Sequence, residues 1–517
     1  MTEIENTINR VARPCQSNGS TLTCYQRDGV VQTTLTDLDR RAARLAHYLS
    51  HDLGLRAGDR IGIVAPNCIE WILLDLAAIK LKVVTAGFDP SRSYDDANLE
   101  EEYDLRYVFA EAADDSGKRI GIRSIGKIAD SAGDSWSAYP TYRNDDITTL
   151  KFTSGSTGKP KGLGATVGSI DHSIAQTQQM FNHRNGDKVF VFLPLSLLQQ
   201  RYWIYSALCN DHDIVVATYE QAFHAMKCEQ PTVVMGVPGF FNAIRKHVET
   251  RLRNQQRQSG AEAAEAHGEP DLEQRRALLL DMLGKNIRYL WTGSAPSNFA
   301  TLNFFFDCGL PIYEGYGSNE TCIVSKNYPG ALKIGSVGRV IPGKQVYLDD
   351  DGGIIVRSDK PVNWRYAHAE VRESEQVFLP NGDVRTGDLG YFDEDGYLYI
   401  NGRLNDRISL ANGQNVLLRP IEEALSNIDG IDECVLIGSG LPYLVAIVSV
   451  LNDKLDAGEI EKHISSLNAS LEKNERIGKF IVADEPFTIA NGYLTAQYKP
   501  ARKKIHERYA HRIAQLV

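Results

Sequence analysis

Thr153, Ser154, Gly155, Ser156, Thr157, Gly158, Lys159, Pro160, Lys161 and Gly162 follow one another directly after the strand-like run ITTLKF. Hydroxyl donors, two ammonium groups, and glycines that let backbone N–H groups approach a ligand are what a flexible clamp on a polyphosphate needs. A Walker A loop is a different object, and its G-x-x-x-x-G-K-[ST] spacing is absent. The run GLGATVG at 162–168 misses the dinucleotide fingerprint G-x-G-x-x-G by one residue, and no G-x-S-x-G nucleophile elbow occurs. The eight cysteines are scattered, without a C-x-x-C pair or a histidine cluster, so neither a disulfide framework nor a zinc site is expected.

Such a clamp must be carried by a strand-to-loop junction, and the chain supplies many. From about residue 35 to 110, helical and strand periods alternate: TLTDLDRRAARLAHYLSHDLG, then RIGIVAP, then CIEWILLDLAAIKLK. Strand candidates recur at KVFVFLP, HDIVVAT, PTVVMGVP and IRYLWTG, each ending in Gly, Pro or Thr. The class expected is α/β, with ligands at the carboxyl ends of the strands. Gly/Asp-rich turns from 345 to 400 predict an antiparallel β subdomain, and 251–280 reads as a solvated helical insertion. Beyond about 405 the pattern predicts a compact α+β unit: a helix at RPIEEALSNI, strands at CVLIGSG and YLVAIVSV, and helices at 457–475 and 500–516.

At 517 residues the chain is long enough for several domains and a large ligand cleft. The balance of 56 basic against 66 acidic residues, a net charge of −10, argues against broad affinity for nucleic acid or an anionic membrane. No apolar run approaches the ~20 residues that span a bilayer. The polar N-terminus MTEIENTINRVARP does not read as a secretory signal, so a cytoplasmic location is expected.

Five further strings stand in order around the clamp: TGSAP at 292–296, YEGYGSNE at 313–320, RTGD at 385–388, GRLNDRISLANGQNV at 402–416 and LTAQYKPARKK at 494–504. With them the chain resembles the adenylate-forming superfamily of acyl-CoA synthetases, nonribosomal adenylation domains and luciferases, over nearly its whole length. LPLSLLQQR at 193–201 and LANGQNV resemble the long-chain acyl-CoA synthetase branch. The resemblance implies a large multi-subdomain α/β N-terminal domain, residues 1–404, and a small mobile α+β C-terminal lid, residues 405–517. It implies that 153–161 hold the ATP phosphates and that Glu320 binds Mg²⁺. Ser294, Ala295, Pro296, Glu314, Gly315, Tyr316, Gly317, Ser318 and Asn319 would line the nucleotide pocket, with Tyr316 on adenine. Asp388 would accept from the ribose hydroxyls, Arg403 would contact ribose or phosphate, Asn405 would be the hinge and Lys499 the catalytic lysine.

The reaction implied is ATP- and Mg²⁺-dependent activation of a small-molecule carboxylic acid as acyl-AMP, then domain alternation and transfer to a thiol of coenzyme A or of a phosphopantetheine on an acyl carrier protein. Adenylation of another oxyacid such as nitrite, or transfer to an amine, is the competing reading; a catalytically silent scaffold is opposed by intact Glu320, Asp388, Arg403 and Lys499. Three positions depart from the family pattern: Asn319 for a threonine, Leu197 for a histidine and Ser409 for a lysine. The first is expected to alter α-phosphate or substrate contacts, and the second to remove a polar group near the acyl pocket.

Overall fold

The helix Ile69–Leu81 has every residue buried, which accounts for an apolar run with no polar face. It packs among the helices Thr7–Ala12, Leu35–His51 and Arg123–Asp130, and its charged residues are each paired: Glu70 with Arg123 at 3.4 Å, Asp75 with Arg201 at 2.8 Å, and Lys80 with Asp39 at 2.7 Å. Buried charges survive only when partnered in this way. The computed structural model describes residues 5–90, 98–114, 117–131, 133–153, 161–258, 272–404, 407–428, 430–450, 455–495 and 498–516.

Two large mixed sheets form the N-terminal part, among the described residues. One has six strands in the order 119–121, 107–110, 60–64, 84–87, 147–153 and 161–166, parallel except for the last pair. The other has nine, in the order 339–340, 322–326, 312–318, 289–292, 233–235, 188–191, 213–217, 21–26 and 29–34. Its six central strands, 312–318 through 21–26, are parallel, and of these 188–191, 213–217 and 233–235 read as Val/Ile/Phe runs because both faces are covered. The strands expected at 188, 213, 233 and 289 are all present.

A four-stranded antiparallel sheet, 344–348, 353–358, 384–392 and 398–403, occupies the Gly/Asp-rich region, as its turns predicted. Within the expected insertion, the helices Pro238–Gln258 and Leu272–Leu283 reach in from either side, and 259–271 lies outside the described residues.

The C-terminal sheet pairs Ile431–Ile437 antiparallel and Ile477–Val482 parallel with a central strand, Leu444–Val450. Alternate residues of that strand serve two cores. Leu444, Ala446 and Val448 face helices Leu418–Ser426 and Ala457–Ser470, while Val445 and Ile447 pack with Ile505, Tyr509 and Ile513 of helix Arg502–Leu516. The strand Ile477–Val482 was not anticipated from the sequence.

Candidate active site

Strand Ile147–Thr153 pairs with Lys161–Thr166 in a register that sets Thr153 opposite Lys161, so the clamp segment is the connection of an antiparallel pair. Of its candidates, Ser154, Gly155, Ser156, Thr157 and Gly158, with Lys159, lie outside the described residues. Lys161 is placed with its ammonium 2.8 Å from Glu373 and 5.5 Å from the centre of the Tyr366 ring. Its charge is therefore shared with a carboxylate beside the clamp.

Facing this edge, Ile312–Ser318 turns back into Cys322–Lys326 through the residues around Glu320. The register slips between Tyr316 and Gly317, and a Cβ on Gly317 would stand 1.9 Å from the Cys322 carbonyl oxygen, so only glycine allows this approach. Within the turn the Thr321 hydroxyl accepts from the Ser318 amide at 3.0 Å, and the Ser318 hydroxyl accepts from the Glu320 amide at 3.2 Å. One Glu320 oxygen, Oε1, accepts the Tyr366 hydroxyl at 2.8 Å; among the described residues its Oε2 carries no hydrogen bond. A half-buried carboxylate with one oxygen in hand is a hard ligand that fits Mg²⁺. The Asn319 amide donates to the Phe152 carbonyl at 3.3 Å, tying the turn to the strand that leads into the clamp.

Tyr316, Asp388 and Arg403 form a chain. The Tyr316 hydroxyl donates to Asp388 Oδ2 at 2.7 Å, and Arg403 Nε donates to Oδ1 at 2.8 Å. Strands 384–392 and 398–403 bring Asp388 directly opposite Arg403. Burial, then the Asp388 charge, raises the Tyr316 phenol above its ordinary range, so the phenol stays a donor.

The loop carrying Ser294, Ala295 and Pro296 follows the strand Tyr289–Thr292, which pairs with Ile312–Ser318. Ser294 has φ +68°, a left-handed residue at a turn. Beneath it the buried Glu314 accepts the Ser297 amide at 2.9 Å, which places its carboxylate under the loop. Burial pushes Glu314 up to about 7. Lys326, fully buried, donates to the carbonyls of Tyr313 at 2.6 Å and Thr292 at 3.3 Å and lies 3.4 Å from the Trp291 ring centre. Desolvation holds its ammonium well below the usual lysine range.

Lys499 comes from the other unit. Its Nζ donates to the Ser294 carbonyl at 2.6 Å, across the junction of the two parts of the chain. The preceding Tyr498, at φ +56°, packs its Cβ against Gly239 and stacks edge-on with Tyr219. Lys246 adds donors to the Ile431 and Asp432 carbonyls at 2.9 and 2.7 Å, and Arg419 reaches the Pro296 carbonyl at 3.3 Å. Asn405 lies outside the described residues. Leu197 opens helix Leu198–Asn210 and packs on the core around Phe192 and Phe240, and the Ser409 hydroxyl donates to Asn415 Oδ1 at 2.7 Å.

Sequence reasoning missed the residues behind the turn. Lys151 is buried, with its ammonium on the Asn319 carbonyl and 3.6 Å from Cys322 Sγ. Lys344 donates to the Thr321 carbonyl at 2.9 Å and to Ser358 Oγ at 2.7 Å, and burial lowers it to about 8. Burial alone would raise the Cys322 thiol, yet Lys151, hydrogen bonds from Tyr202 and Ser173, and Lys344 outweigh it and hold the thiol below its ordinary value. A lysine within an apolar strand and a tyrosine in a loop leave no local signal of such roles.

Residues 12–361 match the family described as AMP-binding enzyme, and 405–517 match the AMP-binding enzyme C-terminal domain. A long-chain-fatty-acid–CoA ligase of Mycobacterium tuberculosis is 28% identical over 94% of this chain and 93% of its own. A 2-succinylbenzoate–CoA ligase of Oceanobacillus iheyensis is 25% identical over 89% and 92%. Among solved structures, an anthranilate CoA ligase in complex with anthranoyl-AMP superposes with a TM-score of 0.78 at 18% identity over 100% and 99% of the two chains. The O-succinylbenzoate coenzyme A synthetase of Bacillus subtilis in complex with AMP gives 0.75 at 20% over 98% of each.

Proposed function

The chain belongs to the AMP-binding enzyme family, and from that membership and the site we propose that it joins a carboxylic acid to a thiol through an acyl adenylate made from ATP. A carboxylate oxygen attacks the α-phosphorus, and the bond from phosphorus to the bridging oxygen of pyrophosphate breaks. The thiol sulfur then attacks the acyl carbon, loses its proton, and AMP leaves as the C–O bond breaks. The observation that carries this reading is the reach of Lys499 from the C-terminal unit to the Ser294 carbonyl, in the loop after the strand that pairs with the one carrying Tyr316.

In this assignment Asp388 accepts from the ribose hydroxyls and Tyr316, hydrogen-bonded to it, packs on the adenine. Arg403 places its charge by the ribose and α-phosphate. The ammonium of Lys499 exchanges the Ser294 carbonyl for the reacting oxygens as negative charge builds on them, the situation in which a preorganised donor is most effective. Segment 153–161 grips the β- and γ-phosphates. Glu320 would hold Mg²⁺, which supplies charge neutralisation of the phosphate oxygens.

The division falls at 404/405, with Asn405 as the pivot for exchange of Lys499 against the acceptor channel. Coenzyme A is the favoured acceptor, because the relatives matching over most of both chains are named as CoA ligases; a carrier-protein thiol would reach the same carbon. Among the described residues no helix is long and apolar enough to cross a membrane, and all eight cysteines are unpaired, which accords with a reducing cytoplasmic setting.

The test is pyrophosphate and AMP release with Mg-ATP over a panel of fatty and aromatic acids, with and without coenzyme A, beside an arm of nitrite plus an arylamine. Acid-dependent turnover that rises with coenzyme A is the expected result. Turnover confined to nitrite, or indifferent to coenzyme A, would replace the thiol-ligase reading.

A further inference from the structure

The turn that carries Glu320 is gripped from three elements. From the six-stranded sheet, the ammonium of Lys151 meets the carbonyl of Asn319, the residue before Glu320. From the four-stranded sheet, Lys344 meets the carbonyl of Thr321, the residue after it, at 2.9 Å. From the segment ahead of helix Val371–Glu375, the Tyr366 hydroxyl meets the carboxylate itself at 2.8 Å.

Lys151 and Lys344 are 5% and 6% exposed. Withdrawing an ammonium from water costs several kcal/mol unless its donors are satisfied. Here the acceptors are the backbone carbonyls that flank one carboxylate, with Cys322 Sγ beside Lys151 and Ser358 Oγ beside Lys344, so both buried lysines bear on the shape of one short turn. Cys322 closes that turn in the left-handed region, at φ +53°, a conformation a non-glycine residue keeps only when its surroundings hold it. Tyr366 is held in its turn by Lys161 over its ring and by Phe378 at 5.3 Å between centroids.

We infer that Lys151, Lys344 and Tyr366 are positioning residues that aim the Glu320 carboxylate and thereby set the affinity of the nucleotide-bound site for a divalent cation. The inference rests on the reading of Glu320 as the metal carboxylate. With Oε1 committed to the phenol and both flanking carbonyls fixed, the direction of Oε2 is determined by side chains outside every recognised motif. Partners that orient a ligating carboxylate are worth about 10–100-fold in metal affinity.

The experiment titrates Mn²⁺ by electron paramagnetic resonance into the protein saturated with a non-hydrolysable ATP analogue, which reads metal binding without turnover. Tyr366→Phe, Lys151→Met and Lys344→Met are compared with Glu320→Gln and with Lys80→Met. Lys80 is an equally buried lysine paired with Asp39 at 2.7 Å, on the helix Ile69–Leu81. The expected result is an Mn²⁺ dissociation constant raised about 10–100-fold in the three positioning variants. Lys80→Met should lower the melting temperature and leave the metal constant unchanged, and Tyr366→Phe should add nothing further once Glu320→Gln is present.

If Glu320→Gln weakens Mn²⁺ while the positioning variants bind it as the wild type does, the inference is overturned and the metal assignment stands. If Glu320→Gln itself binds Mn²⁺ normally, the metal assignment fails and the inference with it. Should a lysine variant fail to fold, Tyr366→Phe, which removes one oxygen and leaves the ring in place, decides alone.

Discussion

Lys499→Ala separates a catalytic lysine from a domain latch. In the structure its Nζ makes a 2.6 Å charge-assisted bond to the Ser294 carbonyl, worth about 1.5–3 kcal/mol if holding the two units together were its only task. That latch is redundant. Lys246 keeps two carbonyls of the C-terminal unit at 2.9 and 2.7 Å, and Tyr498 keeps its seat on Gly239 and Tyr219. Closure should therefore survive the substitution, whereas loss of a preorganised donor to the charge that develops during adenylation costs about 3–4 kcal/mol, or 10²–10³ in rate. The assay is single-turnover pyrophosphate release, run beside thiol transfer from synthetic acyl-AMP. Adenylation should fall by about 10²–10³ while the ATP KM moves by less than about threefold, and transfer should be untouched. An adenylation rate near that of the wild type, or equal losses in both half-reactions, would refute the reasoning.

Other perturbations follow from buried groups. Glu314, raised to about 7 from an ordinary 4.5, binds its proton more tightly in the folded state. It contributes stability fully below pH 4.5, and that contribution is lost as pH rises through about 7, on the order of 3 kcal/mol in all. Glu314→Gln should flatten this part of the melting-temperature profile relative to wild type; a parallel profile would contradict the shift. Asp75→Ala strips the ion-pair partner from the fully buried Arg201, leaving it the Thr85 and Thr149 hydroxyls at 3.0 and 2.9 Å and the Trp71 ring at 5.1 Å. The expected loss is about 3–5 kcal/mol in denaturant unfolding, and a loss below about 1 kcal/mol would show the pair to be dispensable. Gly317→Ala would drive a Cβ to 1.9 Å from the Cys322 carbonyl oxygen. Binding of a non-hydrolysable acyl-adenylate analogue, followed by calorimetry, should be lost, and retained affinity would mean the bulge yields without consequence.

The local code of the chain was enough to specify the alternating helices and strands, the antiparallel region after 345 and the C-terminal α+β unit, because period and turn chemistry are properties of neighbouring residues. The resemblance carried by its motifs named Tyr316, Asp388, Arg403 and Lys499; the structure links the first three through Asp388 and sets Lys499 on the Ser294 carbonyl. The hairpin of Thr21–Gln26 and Gly29–Thr34 escaped notice because its place is decided by pairing with Asp213–Ala217, far along the chain. Lys151 reads in sequence as one polar residue in a strand, and its burial makes sense only once the Asn319 carbonyl, 168 residues later, arrives above it. The same holds for Tyr366 on Glu320 and for Lys344 on Thr321. The amino-acid sequence alone thus determined which groups could do chemistry and what elements carry them. Tertiary structure decided which groups hold those residues in aim, since a desolvated charge finds its partner through space and leaves no periodic trace along the chain.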